Sequence, residues 1–282
     1  MKGLTSGVQA KTMFRGRRWP YHIGLTITAL IIAFPLLYAM LIATQTNAET
    51  YAIQLTPGSA LRDNFQTVWF DRDFAGAMLN SLQQSLLVTV GKTVLSLLAG
   101  LAFVYFKFKF KWLVFFLVLI TLMMPTEVMI LAMFRQVSGY GWQDTMAALV
   151  VPFLASATGA FLFRQHFANL PADLLEASQI DGASPIKFLT KILIPLSWNV
   201  IAAMFVIQFV YTWNMFLWPS LIIRDDSKQV VQSALQTLTN IDGSLTFGPL
   251  MLAAIIASIP PAIVFVLMQK PFMSGFAIGQ NK

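Results

Sequence analysis

Long apolar runs, separated by short polar segments, set the pattern of this chain from end to end. Six of them are long enough to cross a bilayer as helices, at residues 21–44, 80–105, 112–133, 146–163, 198–218 and 247–268, because a helix needs about 20 mostly apolar residues to bridge the hydrocarbon. Each run is continuous and rich in Leu, Ile, Val, Phe and Met. A membrane β-barrel would show alternating stretches of about 10 residues instead. The pattern therefore predicts an all-α polytopic membrane protein with six transmembrane helices. Two of the intervening loops are long. Residues 45–79 carry the turn signal Pro57-Gly58 and the aromatics Phe65, Trp69, Phe70 and Phe74, and residues 219–246 predict a short helix at 230–238.

Composition agrees with a lipid-facing surface. Of the 282 residues 57% are hydrophobic and only 11% charged, against about 25% charged in soluble domains. The basic residues give an orientation. Lys2, Lys11, Arg15, Arg17 and Arg18 precede the first run, Lys107, Lys109 and Lys111 follow the second, Arg164, Lys187 and Lys191 follow the fourth, and Lys270 and Lys282 follow the last. All thirteen fall on one side, whereas eight of the twelve acids fall on the other. Basic loops mark the cytoplasm, so both termini are expected inside. Residues 1–20 and 269–282 then form cytoplasmic segments around a membrane domain at 21–268. The net charge of +7 reads as topology rather than nucleic-acid binding. The first apolar run exceeds the 7–15 residues usual for a signal peptide and is expected to stay as an anchor. The absence of cysteine excludes disulfides and thiolate metal sites and fits a bacterial inner membrane.

One cytoplasmic loop, 164–197, is more than a connection. Pro171 suits a first helical position, and Asp173 and Glu176 follow where a helix dipole favours acids. Leu174, Leu175, Ala177 and Ile180 add apolar surface. Asp181-Gly182-Ala183 stops the helix, since Gly182 can take positive φ. Ser184-Pro185 then restarts one as N-cap and first residue, leading through Ile192-Leu193-Ile194-Pro195 into the fifth run. A helix lying on the membrane surface would carry large hydrophobes and many basic residues. Small residues at Ala177, Ser178, Gly182 and Ala183 instead permit close approach by a partner.

These residues resemble the EAA loop of bacterial ABC-importer permeases: Glu-Ala-Ala, three residues, Gly, nine residues, then Ile-x-Leu-Pro. Here Ser178 replaces the second Ala and Ile194 the Leu. The resemblance extends to Asn80-Ser81-Leu82, to residues 121–128, to 155–165, and to Trp213-Asn214 with Leu217-Trp218-Pro219, and it is greatest to the carbohydrate-uptake group of maltose-permease-like subunits, within it to the branch that carries sn-glycerol-3-phosphate. The resemblance implies a type I importer permease fold. It implies a coupling helix inserted into an ATPase subunit, with Leu174, Glu176, Ala177, Ser178, Ile180, Asp181, Gly182, Ala183 and Pro195 at the contact. It also implies a second permease, two copies of the ATPase, which would hold ATP and Mg, and a periplasmic or lipoprotein substrate-binding protein. The chain itself would bind no cofactor or metal and catalyse no covalent step.

Polar residues within the runs are candidates for the pathway, because charges in spans usually face a partner or a pore. Lys92 could join a structural ion pair, contact the partner permease, or attract an anion such as phosphate. Glu127, beside Pro125, could pair with Lys92 or support a helix break. Gly91-Lys92-Thr93 is no phosphate loop, since a glycine is required where Leu86 stands. Asn80 and Gln83 open the second run, and Gln208, Trp213 and Asn214 sit in the fifth. Such amides and rings suit sugars or polyols, but also helix contacts and interfacial belts. A neutral sugar remains open as substrate. A self-sufficient secondary transporter would show inverted repeats and broken helices with ion-coordinating groups. A membrane enzyme would need clustered catalytic groups, and His22 and His166 are far apart.

Overall fold

The computed structural model describes residues 19–241 and 243–277, and the side chains of all of these except 20, 126, 127 and 274–277. The basic segment 1–18, Asp242 and residues 278–282 lie outside the described residues. In chain order the elements are α1 Trp19–Ile42, α2 Asn47–Tyr51, α3 Leu61–Gln66 with a π turn Thr67–Asp71, and α4 Phe74–Tyr105. There follow α5 Lys111–Thr121, α6 Thr126–Gly139, α7 Met146–Val150, α8 Ala157–Ala168 and α9 Asp173–Ile180. The chain continues with α10 Pro185–Phe188, a π turn Leu189–Leu193, α11 Ile194–Leu196, α12 Trp198–Trp213, α13 Leu217–Ile222 and α14 Val231–Thr237. A two-residue hairpin, β1 Asn240–Ile241 with β2 Ser244–Leu245, precedes α15 Gly248–Ala277.

Three of these helices, α1, α4 and α15, are each long and apolar enough to cross a membrane unbroken. The fourth run is bent by 43° between α7 and α8, and the fifth is entered through a 79° bend between residues 185–196 and α12. The third run, expected at 112–133, is interrupted at residues 122–125, with α5 and α6 on either side. Pro125 explains the break: it lacks an N–H, and its ring pushes the preceding residue out of helical conformation. Its own backbone is extended, with ψ 133°. Helix α4 starts at Phe74, ahead of the expected residue 80, because the Asp73 carboxylate caps Gly76 N–H at 3.3 Å and Phe74 is fully buried. Helix α15 runs on to Ala277, beyond the expected end at 268. The helix expected at 230–238 is α14.

The bundle is organised around α4, which packs chiefly against α8 and α12 and contributes to all three buried clusters. Phe74 and Ala77 meet Trp213 and Val231, Val88 meets Phe153 and Trp218, and Leu97 and Leu101 meet Phe163, Phe188 and Leu193. By contrast α1 touches mainly α15, and most of its apolar side chains are exposed. At one end the buried Gln45 amide donates to Gln54 O and Thr56 O, and Asn47 bridges to Leu245 O and Phe247 N–H, so the C-terminal end of α1 and the N-terminal end of α15 are tied together.

Close approach of α4 to α8 depends on glycine. A Cβ on Gly100 would stand 2.7 Å from Phe163 Cβ and 3.0 Å from its carbonyl carbon. One on Gly159 would collide with Ser96 Oγ and Met204 Cε. Alanine favours a helix interior over glycine by only about 0.5–1 kcal/mol, whereas overpacking costs about 1–3 kcal/mol. Gly100→Ala should therefore lower the thermal midpoint of the detergent-solubilised protein, since the neighbour that must yield is backbone; an unchanged or raised midpoint would show that the α4–α8 seam can relax.

Candidate functional site

Two regions concentrate the polar chemistry. The first is the protruding loop at the C-terminal end of α4. Helix α9 has Asp173 and Glu176 in its first turn and ends in a Schellman arrangement: Ala183 N–H donates to Ser178 O at 2.9 Å and Gly182 N–H to Gln179 O at 3.0 Å. Gly182 has φ +65° with open space around it, so the left-handed backbone rather than crowding calls for glycine. Ser184 then caps α10 by accepting from Lys187 N–H at 3.3 Å, and Pro185 occupies its first turn. The helix begins two residues after Pro171, which caps Leu174 N–H with its carbonyl instead.

The loop has a fastened side and an open side. Leu175, Phe188, Leu189 and Leu193 pack into the cluster formed by the ends of α4, α8 and α12. Tyr105 of α4 lies edge-on to Phe188 at 5.1 Å and donates to Phe167 O. Ser178 is buried and donates to Leu175 O at 2.7 Å, while Leu174 and Ala183 are half-buried. Glu176, Ala177, Asp181, Gly182 and Pro195 are exposed, and Ile180 is 86% and Ile186 74% exposed. The same end carries Lys107, Lys109 and Lys111, with Arg164 over the rings of Trp112 and Phe115 at 5.2 and 4.8 Å.

The second region lies along α4 and α12. The helices run antiparallel, with Ser96 beside Met204, Lys92 opposite Gln208 and Gln84 near Met215. Lys92 is buried; its Nζ donates to Gln208 Oε1 at 2.9 Å and stands 5.8 Å from the Tyr211 ring. Tyr211 also lines a cavity of about 330 Å³ with Asn214, Ile130, Phe153, Phe216 and Trp218. Lys92, Gln208 and Asn214 are thus gathered around Tyr211.

The other pathway candidates are placed elsewhere. Trp213 is buried, stacks on Phe209 and donates to Ala257 O at 3.1 Å, which makes it a core residue between α12 and α15 rather than a wall of the cavity. Trp218 is likewise buried and donates to Ala148 O. Asn80 is spent on a loop, donating to Ser227 O and Gln229 O, and Gln83 is exposed. The Glu127 side chain lies outside the described residues. Among the described residues no group of histidines and carboxylates could hold a metal.

One structural residue was missed in the sequence. Asp144, left-handed at φ +55°, accepts from Arg224 N–H at 2.6 Å and Asp225 N–H at 2.9 Å, while its own N–H donates to Ile222 O. With Ser81 Oγ accepting from Val231 N–H at 2.7 Å, this pins the 223–231 segment across α4 and α7, at the end opposite the protruding loop. The Asp225 and Arg224 amides, in that order, hold the Asp144 carboxyl below its ordinary range. A depressed carboxyl stabilises above its unfolded pKa, about 3.9, and the contribution is lost as pH falls through the lower folded value. Asp144→Ala should raise amide exchange across 223–231 at neutral pH and Asp144→Asn largely restore it; equal protection in all three proteins would remove the clamp.

A buried bundle with broken spans, an exposed anchored loop and a polar seam defines a helical membrane transport component. Residues 92–274 match the model of the binding-protein-dependent transport system inner membrane component, and the chain belongs to that family. It is an inner-membrane permease, not an enzyme. It is 37% identical over 263 residues to the sn-glycerol-3-phosphate transport system permease protein UgpE of Pectobacterium atrosepticum, covering 90% of this chain and 94% of that one. The UgpE proteins of Escherichia coli O1:K1 and Yersinia pestis are 38% identical over the same shares. In fold it resembles a chain of a bacterial ABC transporter involved in import of the acidic polysaccharide alginate, with TM-score 0.79 and 19% identity over 90% of this chain and 95% of that chain. A second alginate transporter structure, in complex with an alginate-bound periplasmic protein, gives TM-score 0.61 and 16% identity over 89% and 93%.

Proposed function

We propose that this chain is one half of the pathway of an ATP-driven importer for sn-glycerol-3-phosphate or a related glycerophosphodiester. Identity of 37–38% to glycerol-3-phosphate permeases over 90% of the chain supports the substrate class. In this reading the membrane is crossed six times, by α1, α4, the α5–α6 pair, the α7–α8 pair, α12 and α15, with both termini in the cytoplasm. The clustering of Lys107, Lys109, Lys111, Arg164, Lys187 and Lys191 at one end supports that orientation. A second permease completes the pathway, and two ATPase copies hold ATP and Mg. A substrate-binding protein delivers cargo at the opposite end.

The observation that carries the proposal is the open side of α9. Glu176, Ala177 and Ile180 face outward from a helix whose other side is fastened to the ends of α4, α8 and α12. A charged and apolar surface of this kind fits insertion into a cleft on the ATPase, with Glu176 meeting a basic group. Closure of the ATPase pair on ATP would draw the α9 helices together, and the fastened side would pass that displacement into the spans. Hydrolysis would reset the cycle.

Glu176→Lys should cut ATP-driven uptake at least tenfold, or release the ATPase from the purified complex. Gly182→Ala forces a left-handed alanine, costing about 1–2 kcal/mol, and should weaken ATPase retention without steric conflict. Full uptake by the Glu176→Lys complex would overturn the docking assignment.

A further inference from the structure

We infer that Lys92, held by Gln208 behind the Tyr211 ring, is the group in the pathway that recognises the phosphate of a polyol phosphate ester; this rests on the function proposed above. Lys92 sits near the middle of α4, about 27 Å from its first residue at 1.5 Å per residue. A charge at that depth is costly and usually marks a pathway. Among the described side chains none neutralises it. Its hydrogen-bond partner is a neutral amide, and among the described residues no carboxylate lies within ion-pair distance. An ammonium has three donors, and the bond to Gln208 uses one of them.

Two further observations point to a ligand. Along α4 the hydroxyls of Ser85, Thr89, Thr93 and Ser96 are buried without a hydrogen-bond partner among the described residues, as is that of Thr212 on the facing helix. Burying an unbonded hydroxyl costs about 1–3 kcal/mol, so such groups call for partners. The neighbouring cavity of about 330 Å³ is large enough for a small ligand. Tyr211 lines it, and its ring centroid stands 5.8 Å from the Lys92 Nζ, so a molecule there is one ring away from Lys92. In this conformation the α4–α12 seam is shut over the ammonium. A shift of α12 that swings the Tyr211 ring aside would open it to the cavity. The phosphate would then replace the Gln208 amide as the acceptor, and the polyol hydroxyls would meet Asn214.

The test is uptake of radiolabelled sn-glycerol-3-phosphate by proteoliposomes holding the complete transporter with its binding protein. Lys92→Met should lower the rate at least tenfold, and Lys92→Arg should recover a third or more of it. Gln208→Glu is the sharper variant. It gives Lys92 a permanent internal anion, so it should keep or raise the thermal midpoint of the complex yet lower uptake at least tenfold. A lysine that merely braces the helices would be better satisfied by that glutamate, and wild-type uptake by Gln208→Glu would overturn the inference. Uptake by Lys92→Met above half the wild-type rate would overturn it too, leaving the importer reading intact. If Lys92→Met fails to assemble, Lys92→Arg and Gln208→Glu decide. No uptake by the wild type would bring down the substrate reading and this inference together.

Discussion

Where α4 crosses α8, Gly100 and Gly159 bring one helix against side chains and backbone of the other with no room for a methyl group. In lipid there is little hydrophobic drive for helices to associate, and close packing of small residues supplies the cohesion instead. The remaining architecture follows from that approach. It sets α4 deep enough that its whole length is shared among the three buried clusters. It also brings Ser96 under Met204 of α12, which fixes the register that places Lys92 opposite Gln208. A wider seam would shift that register and leave the ammonium without its amide.

Because α4 is a single unbroken helix of 32 residues, about 48 Å long, its two ends are mechanically linked. At the first end Ser81 and Asn80 hold the 227–231 segment. At the other, Tyr105 meets Phe167 and Phe188 below the protruding loop. Packed interfaces of this kind respond to displacement by switching arrangement rather than by bending continuously. The helices are broken at residues 122–125, between α7 and α8, and ahead of α12, whereas α4 is continuous.

Features written in local chemistry were legible in the sequence, and features that depend on register between helices were not. Asp181-Gly182-Ala183 and Ser184-Pro185 carry their own stop and start signals within a few residues, and the backbone follows them. The break in the third run was marked by Pro125 but masked by the surrounding hydropathy. Trp213 looked like a pathway or interface residue, because an aromatic ring with an N–H suits both, and Trp218 carried no sign of its packing. Their burial depends on which helix lies alongside, Ala257 of α15 in one case and Ala148 of α7 in the other. Asp144 gave little sign of its role, since its partners are about 80 residues away. Lys92 was conspicuous as a charge in an apolar run, yet its pairing with Gln208 belongs to the assembled helices.

The choice of glutamine opposite that lysine has an energetic consequence. A lysine at the centre of a span costs about 2.5–3.5 kcal/mol on insertion scales, and a hydrogen bond to a neutral group returns about 0.5–1.5 kcal/mol. A glutamate would return more, but it would leave an uncompensated buried carboxylate whenever an anion drew the ammonium away. An amide can surrender its bond at the cost of one neutral acceptor. Transport favours the weaker partner, because cargo must be bound strongly enough to enter and weakly enough to leave. In the pathway role inferred above, Lys92 with Gln208 would hold a positive charge in reserve at modest cost, beside a tyrosine that also lines the cavity.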